Sequence, residues 1–545
     1  MRPRRTWISV FWEESGALWR DLNKRSVGDY PNRVTGWLKR LSWIEIGILV
    51  IAVTLRIALL DIKPAHFDEG VNGWFADQME RTGYFRYDPT NYHGPLHFYA
   101  LFLSQTLFGR NLWALRLPAI LASVLAVWAA LCFREHFGAT TARIAALAMA
   151  VSPAYVFYGR YSIHESWLVL FSLVFCWGLL GLWTKGERRF LLMLFAGATG
   201  MILTKETYIL HIGSFVLAGA VLGLIEKILP SQPALPISLQ RWSWDDLASS
   251  SALAALTIIF FYSGTFLDFS ALSGLYETFA AWFHTGVAAA GHEKSTYQFG
   301  SFNYYWIALM ARYEWPALLG FFLCFAYILR SEARLRYLGI YGCGVLLAYS
   351  LIPYKTPWCV ISILWPFYFL LGAFTTATTK FFGYEMPAAV ARVVLMVSLA
   401  ASAFASIRLN FYQFTNEREP YVYVQTFPDI QTLTKPLLEM ARKDPRYYHL
   451  QGHILLESYY PLPWMLGDFT RIGYYKKDEP PAPLDADFVV AEVGQMEKIE
   501  AGLTREYYKR KFRLRDSQEE CVVYFAKATF DDWFAGAPPL FQGHQ

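Results

Sequence analysis

Eleven apolar stretches recur between Trp43 and Ile407, most of them near the roughly twenty residues a helix needs to cross a hydrocarbon core. They are Trp43–Leu60, Leu112–Phe133, Thr141–Tyr158, His164–Trp183, Phe190–Leu203, Tyr208–Ile228, Ser250–Leu267, Pro316–Leu329, Tyr337–Ile352, Val360–Ala377 and Ala388–Ile407. No water reaches the backbone inside a bilayer, so segments of this length and composition have to be helices. The chain therefore reads as an α-helical polytopic membrane protein with a bundle of about eleven transmembrane helices. Gly94–Phe108 is also apolar, but it is short and carries His97 and Gln105, which suits a helix lying at the interface. Hydrophobic residues make up 55% and charged residues 17%, a balance that excludes an ordinary soluble enzyme. Arg56 lies one turn below the end of the first span, within snorkelling reach of the interface.

Lysine and arginine in the short loops orient the bundle. Residues 1–42 are basic and Trp-rich and read as a cytoplasmic, amphipathic lead-in, with Arg2, Arg4, Arg5, Lys39 and Arg40 on the inner side. With eleven spans, the inner loops carry Arg134 and Arg143, then Lys185, Arg188 and Arg189, then Lys227 and Arg241, then Arg330, Arg334 and Arg336, then Lys380. The bundle, residues 43–410, then returns the chain to the outside, in the cell (plasma or inner) membrane. Residues 411–545 are polar and long enough for a separate extracytoplasmic α/β domain. Its expected helices are Thr432–Arg442 and Gln495–Leu503, and its strands Tyr448–Leu456, Asp487–Val493, Phe512–Leu514 and Cys521–Ala526. The six cysteines show no metal or disulfide spacing. The basic residues are scattered, so no nucleic-acid footprint is present.

The unusual polar residues gather in the loops of the opposite, outer side. The first outer loop holds His66, Asp68, Glu69 and His93. Later loops add Arg160, His164 and Glu165, then Lys205 and Glu206, then His292 and Lys294, then Tyr354, Lys355 and Trp358. Ionisable groups at membrane depth point to function, and these would form one polar cavity. Asp68, Glu69 and Glu165 could act as a base or hold a divalent metal such as Mg or Mn. Arg160, Lys205, Lys294, Arg312 and Lys355 could neutralise a phosphate leaving group. Aromatic residues such as Tyr354 and Trp358 could stack on a sugar ring. Against this, interfacial Lys, Arg, Tyr and Trp snorkel and anchor in any membrane protein.

The order of these features resembles the GT-C membrane glycosyltransferases, among them protein O-mannosyltransferase-like and aminoarabinose-transferase-like enzymes, and most of all a flippase-associated prokaryotic subgroup. The matching pieces are His66-Phe67-Asp68-Glu69 after the first span, His93-Gly94-Pro95-Leu96 opening the interface helix, and Leu115-Arg116-Leu117-Pro118 in the second span. Ser152-Pro153 and Tyr158-Gly159-Arg160 close the third span, Lys205 follows the fifth, and Lys355-Thr356-Pro357-Trp358 comes late in the bundle. Two departures stand out: His93-Gly94 replaces a double proline, and Ile163-His164-Glu165 stands where relatives carry an Asp. The resemblance implies inverting transfer of a sugar from a polyprenyl-phosphate donor to a lipid, glycan or protein acceptor at the outer face, among membrane lipids. It implies Asp68 as general base, Glu69 orienting it or holding a metal, and Arg160, Lys205 and Lys355 stabilising the departing phosphate. Two competing readings are a flippase or transporter of a lipid-linked saccharide, and a non-catalytic envelope scaffold. Transporters tend to show inverted repeats, and none is visible here.

Overall fold

The computed structural model describes residues 41–230, 240–288, 304–352, 355–382, 385–516, 518–535 and 541. The expected lead-in, residues 1–42, lies almost wholly outside them. All eleven apolar stretches are helical: α1 (Trp43–Ile57), α4 (Leu112–Cys132), α5 and α6 (Ala139–Val151 and Pro153–Gly159), α7 (Glu165–Lys185), α8 (Arg188–Ile202), α9 (Tyr208–Ile228), α10 (Trp244–Tyr262), α13 (Trp315–Arg330), α14 (Ala333–Leu351), α15 (Val360–Phe382) and α16 (Glu385–Ile407). The loops contribute α2 (Phe67–Thr82), α3 (Leu96–Phe108), α11 (Gly274–Ala288) and α12 (Tyr305–Tyr313).

Among the described residues, six helices are long and apolar enough to cross a membrane alone, and a seventh span results if the bent pair α5–α6 counts as one. Helices α1 and α8 reach only 15 residues and α13 only 16. Helix α14 dilutes its apolar character with Arg334, Arg336 and three tyrosines.

Arg56 does not snorkel. It is fully buried and serves the break between α5 and α6, which bend by 58° at Ser152-Pro153. A proline removes one helical N–H and leaves carbonyls of the preceding turn without partners. The Arg56 guanidinium takes up the carbonyls of Met149 (3.2 Å) and Ala150 (3.2 Å) and also donates to Ser123 Oγ (2.7 Å). On the other side of the break, the buried Glu314 carboxylate accepts from the Ala154 N–H (2.8 Å), Ser152 Oγ (2.8 Å) and the Tyr368 hydroxyl (2.9 Å). Two buried charges thus satisfy the two broken ends, as the bilayer requires.

Beyond α16 the chain forms a five-stranded sheet with β1 (Gln451–Leu455), β2 (Arg471–Tyr475), β3 (Phe488–Glu492), β4 (Tyr507–Phe512) and β5 (Cys521–Ala526), in the order β2-β1-β3-β5-β4. β1 runs parallel to β2 and β3, while β5 is antiparallel to β3 and β4. Alternation along β3 covers both faces: Phe488 and Val490 pack under α17 (Gln431–Lys443), while Val489 and Ala491 face Ile499 of α18 (Met496–Gly502). The sequence misplaced β4 at Phe512–Leu514 and missed the edge strand β2. The six cysteines are free.

Candidate active site at the junction of bundle and sheet domain

Asp68 and Glu69 are neighbours in sequence but part company in space. His66 is the N-cap of α2, with its Nδ1 accepting the Asp68 N–H (3.1 Å), and Glu69 returns the favour to the His66 N–H (2.9 Å). This is a capping box with imidazole in place of a hydroxyl. Because Nδ1 accepts, Nε2 carries the proton and donates to the Tyr423 carbonyl (2.8 Å).

The box turns Glu69 inward, where it is fully buried against Arg116. Arg116 Nε and a terminal nitrogen reach its two oxygens at 2.8 and 2.7 Å, and the Ser162 N–H adds a bond of 2.9 Å. Burial alone would raise the Glu69 carboxyl, but Arg116 and these hydrogen bonds bring it below the usual carboxylate range. The other Arg116 donors hold the carbonyls of Leu60, Lys63 and Pro64. Asp68 is left facing outward, about one-third exposed, into a cavity of about 920 Å³.

The cavity lies between the loop end of the bundle and the sheet domain. Of the residues expected at the site, Asp68, His93, Lys205, Glu206 and Trp358 line it. Gly94 brings two of these loops together. Its N–H donates to Thr204 O (3.0 Å), and His93 bridges Lys205 as a one-residue ladder. A Cβ on Gly94 would meet Leu203 O at 2.3 Å, so only glycine permits this approach. His93 Nδ1 then reaches Glu206 Oε2 at 3.0 Å, and Lys205 pairs with the buried Glu165.

The remaining expected residues sit behind the cavity wall. The fully buried Arg160 donates to the carbonyls ending α1, Leu55 (3.0 Å) and Leu59 (2.7 Å) among them. Lys355 donates to the carbonyls of Tyr349 (2.9 Å) and Ser350 (2.8 Å) at the end of α14. Both cations are therefore engaged at helix C-termini, whose carbonyls attract positive charge. His164 packs between His93 and His97, with ring centroids at 4.5 and 4.6 Å. His292, Lys294 and Tyr354 lie outside the described residues. The metal expectation at Asp68-Glu69 does not fit, because both Glu69 oxygens are occupied. Among the described residues no three His, Cys, Asp or Glu side chains converge on a metal position.

The sheet domain roofs the cavity with Tyr423, Gln425, Glu457, Lys477, Glu492 and Arg515. Arg515 is almost fully buried, lies 4.8 Å over the Phe67 ring and donates to the Tyr460 carbonyl. Burial pushes its guanidinium down to about 10, while Cys521 and Asp68 act the other way. The sequence offered no signal for it. Arg116 did carry one: a charge inside an apolar span needs a partner.

The α2 helix is held from the roof as well. A Cβ on Gly70 would lie 2.4 Å from Pro461 Cα, and Arg110 bridges Asp77 (2.9 Å) and Asp468 (3.5 Å). Asp68 is thereby clamped between bundle and sheet domain.

This helical bundle with its small C-terminal sheet domain shares its fold with solved membrane-protein structures. Solved structures with this fold include ArnT from Cupriavidus metallidurans in the apo state (TM-score 0.54, 14% identity, 90% of this chain and 98% of that one). The same protein bound to undecaprenyl phosphate matches with TM-score 0.58 and 16% identity over the same shares. Residues 92–235 match the family model described as dolichyl-phosphate-mannose-protein mannosyltransferase. The curated protein "Putative mannosyltransferase YkcB" of Bacillus subtilis (strain 168) is 30% identical over 165 residues, 28% of this chain. That match spans only 23% of the relative's own length. The fold that the sequence resemblance implies is thus shared with ArnT, and the family match covers the segment from His93 to Lys227.

Proposed function

We propose that this chain is an integral membrane glycosyltransferase that moves a sugar from a polyprenyl-phosphate donor to an acceptor at the extracytoplasmic face. The N-terminus is then cytoplasmic and the sheet domain outside the cell membrane. One observation carries the reading: Asp68 faces a cavity that is also lined by the buried cations Lys205 and Arg515, from two different domains. The undecaprenyl phosphate bound by the ArnT structure supports a lipid-phosphate donor, and the family description supports sugar transfer.

In the reaction, an acceptor hydroxyl or amine attacks the anomeric carbon while the bond from that carbon to the phosphate oxygen breaks. Asp68 takes the acceptor's proton, and polyprenyl phosphate leaves with the bond's electron pair. Attack opposite the leaving group inverts the anomeric centre, so one base suffices. Lys205 and Arg515 meet the charge growing on the phosphate. Arg160 and Lys355, expected in that role, act instead by fixing the ends of α1 and α14.

The decisive experiment measures sugar transfer from polyprenyl-phosphate hexose by the purified protein and its Asp68→Asn variant. Removal of a general base should lower the rate at least about a hundredfold. Full activity in Asp68→Asn, or carrier flipping in liposomes without any transfer, would sink the reading.

A further inference from the structure

His93 and Glu206 form a carboxylate–imidazole dyad on the cavity wall, and the reaction above leaves it unused. Glu206 follows Lys205 in the turn after α8 and is buried, with its Oε2 3.0 Å from His93 Nδ1. The His93 side chain is 26% exposed and lines the cavity together with Asp68. With Nδ1 donating to the carboxylate, the tautomer is fixed, and Nε2 has no protein partner among the described residues.

The loop is built to hold this imidazole still. Tyr92, just before it, has φ +45°, a left-handed conformation that a tyrosine adopts only where its surroundings impose it. On the other side, the close approach of Gly94 to Leu203 pins the chain. The backbone bridge from His93 to Lys205 sets the ring beside the cation that meets the phosphate. The other ionisable neighbours are engaged or set back. Glu165 pairs with Lys205, and the buried His164 and His97 stack behind His93. Of these three imidazoles, His93 is the one that lines the cavity.

We propose that His93, oriented by Glu206, is the general acid of the transfer. As the bond from the anomeric carbon to the phosphate oxygen breaks, the Nε2 proton passes to a phosphate oxygen. Polyprenyl phosphate leaves with the bond's electron pair and that proton, and His93 is left neutral. Asp68 has meanwhile gained the acceptor's proton, so one proton is taken up and one given away, and exchange with bulk water restores both groups. This rests on the glycosyltransferase reading above and gives its leaving group a proton donor.

The test uses the full-length protein in lipid nanodiscs and follows release of polyprenyl phosphate from polyprenyl-phosphate mannose, with an envelope extract of the source cells as acceptor. His93→Ala and His93→Gln should each lower the rate at least about a hundredfold. Glu206→Gln should cost less, and the His93→Gln/Glu206→Gln protein should be no slower than His93→Gln alone, because the two side chains act as a unit. Imidazole added to His93→Ala should restore the rate about tenfold or more, which a merely structural role would not allow. The wild-type rate should fall as rising pH removes the imidazolium proton, and that alkaline loss should be absent from His93→Gln. His93→Lys keeps a positive charge without an imidazole and should stay well below wild type. Unchanged rates in His93→Ala and His93→Gln overturn the proposal, as does an absence of imidazole rescue or a wild-type rate in His93→Lys. A wild type that releases no polyprenyl phosphate refutes the glycosyltransferase reading instead.

Discussion

Glu69→Gln is the sharpest test of how Asp68 is positioned. The Glu69 carboxylate accepts four hydrogen bonds: two from Arg116, one from the Ser162 N–H and one from the His66 N–H. Each oxygen takes two. A glutamine amide turns one oxygen into a donor, so two of the four bonds become donor against donor. It also strips Arg116 of its only ion-pair partner among the described residues, in a region already crowded by Lys63 and Arg160. Breaking a fully buried pair in this way costs roughly 3–5 kcal/mol. Unfolding in mixed micelles, titrated with SDS and followed by tryptophan fluorescence, measures the loss. A cycle of Glu69→Gln, Arg116→Met and the double variant isolates the pair. The double variant should be more stable than the two single losses predict, with a coupling on the order of 1–3 kcal/mol. Transfer activity should fall in Glu69→Gln although Asp68 is intact. Additive losses, or a Glu69→Gln protein within about 0.5 kcal/mol of wild type, the range of ordinary surface changes, would show that the pair does not hold the helix.

Other outcomes follow from the same geometry. Arg515→Met should lower transfer about tenfold or more, with partial rescue by Arg515→Lys, if its charge meets the phosphate; equal rates in all three proteins would remove it from the site. Gly70→Ala puts a methyl group 2.4 Å from Pro461 Cα and should loosen the sheet domain, read as faster proteolysis within residues 411–535 at unchanged bundle helicity. Burial lowers the His66 pKa, with Asp68 and the Tyr423 hydrogen bond opposing, and the capping bond needs neutral Nδ1. With its folded pKa depressed, His66 favours folding fully above about pH 6.5, and the contribution drains away as pH falls below that value. Thermal stability should decline on acidification, and His66→Asn, a cap that does not titrate, should flatten that decline; an unchanged acid limb in the variant would show that His66 is not the group responsible.

The helices were legible because their apolar runs are long, and burial inside a membrane tolerates little else. The number of crossings was less legible: α1, α8 and α13 are mostly apolar yet short, and composition does not reveal where a helix ends. Strand β2 went unread because Arg471-Ile472-Gly473-Tyr474-Tyr475 sits at the sheet edge, half-buried and without strict alternation. At the site, the sequence pointed to the right loops, five of whose expected residues share one cavity. It could not tell a cation that lines the cavity from one engaged by a helix end, since Arg160 and Lys205 both sit beside spans. Nor could it divide Asp68 from Glu69, because that division depends on a histidine acting as a cap and on Arg116, 47 residues away. Arg515 joins the cavity only because the C-terminal sheet region packs over the bundle.

The bend at Ser152-Pro153 has a consequence for how this protein is made. Its freed carbonyls find Arg56 on a helix already synthesised, but the exposed Ala154 N–H must wait for Glu314, 160 residues later. Until then, that peptide group has no partner in an environment without water. The third crossing should therefore stay dynamic at the insertion machinery, or remain partly withdrawn from lipid, while the middle of the chain is translated. Its final shape would lock only when α13 arrives, which ties the geometry beneath the cavity to a late event in biogenesis.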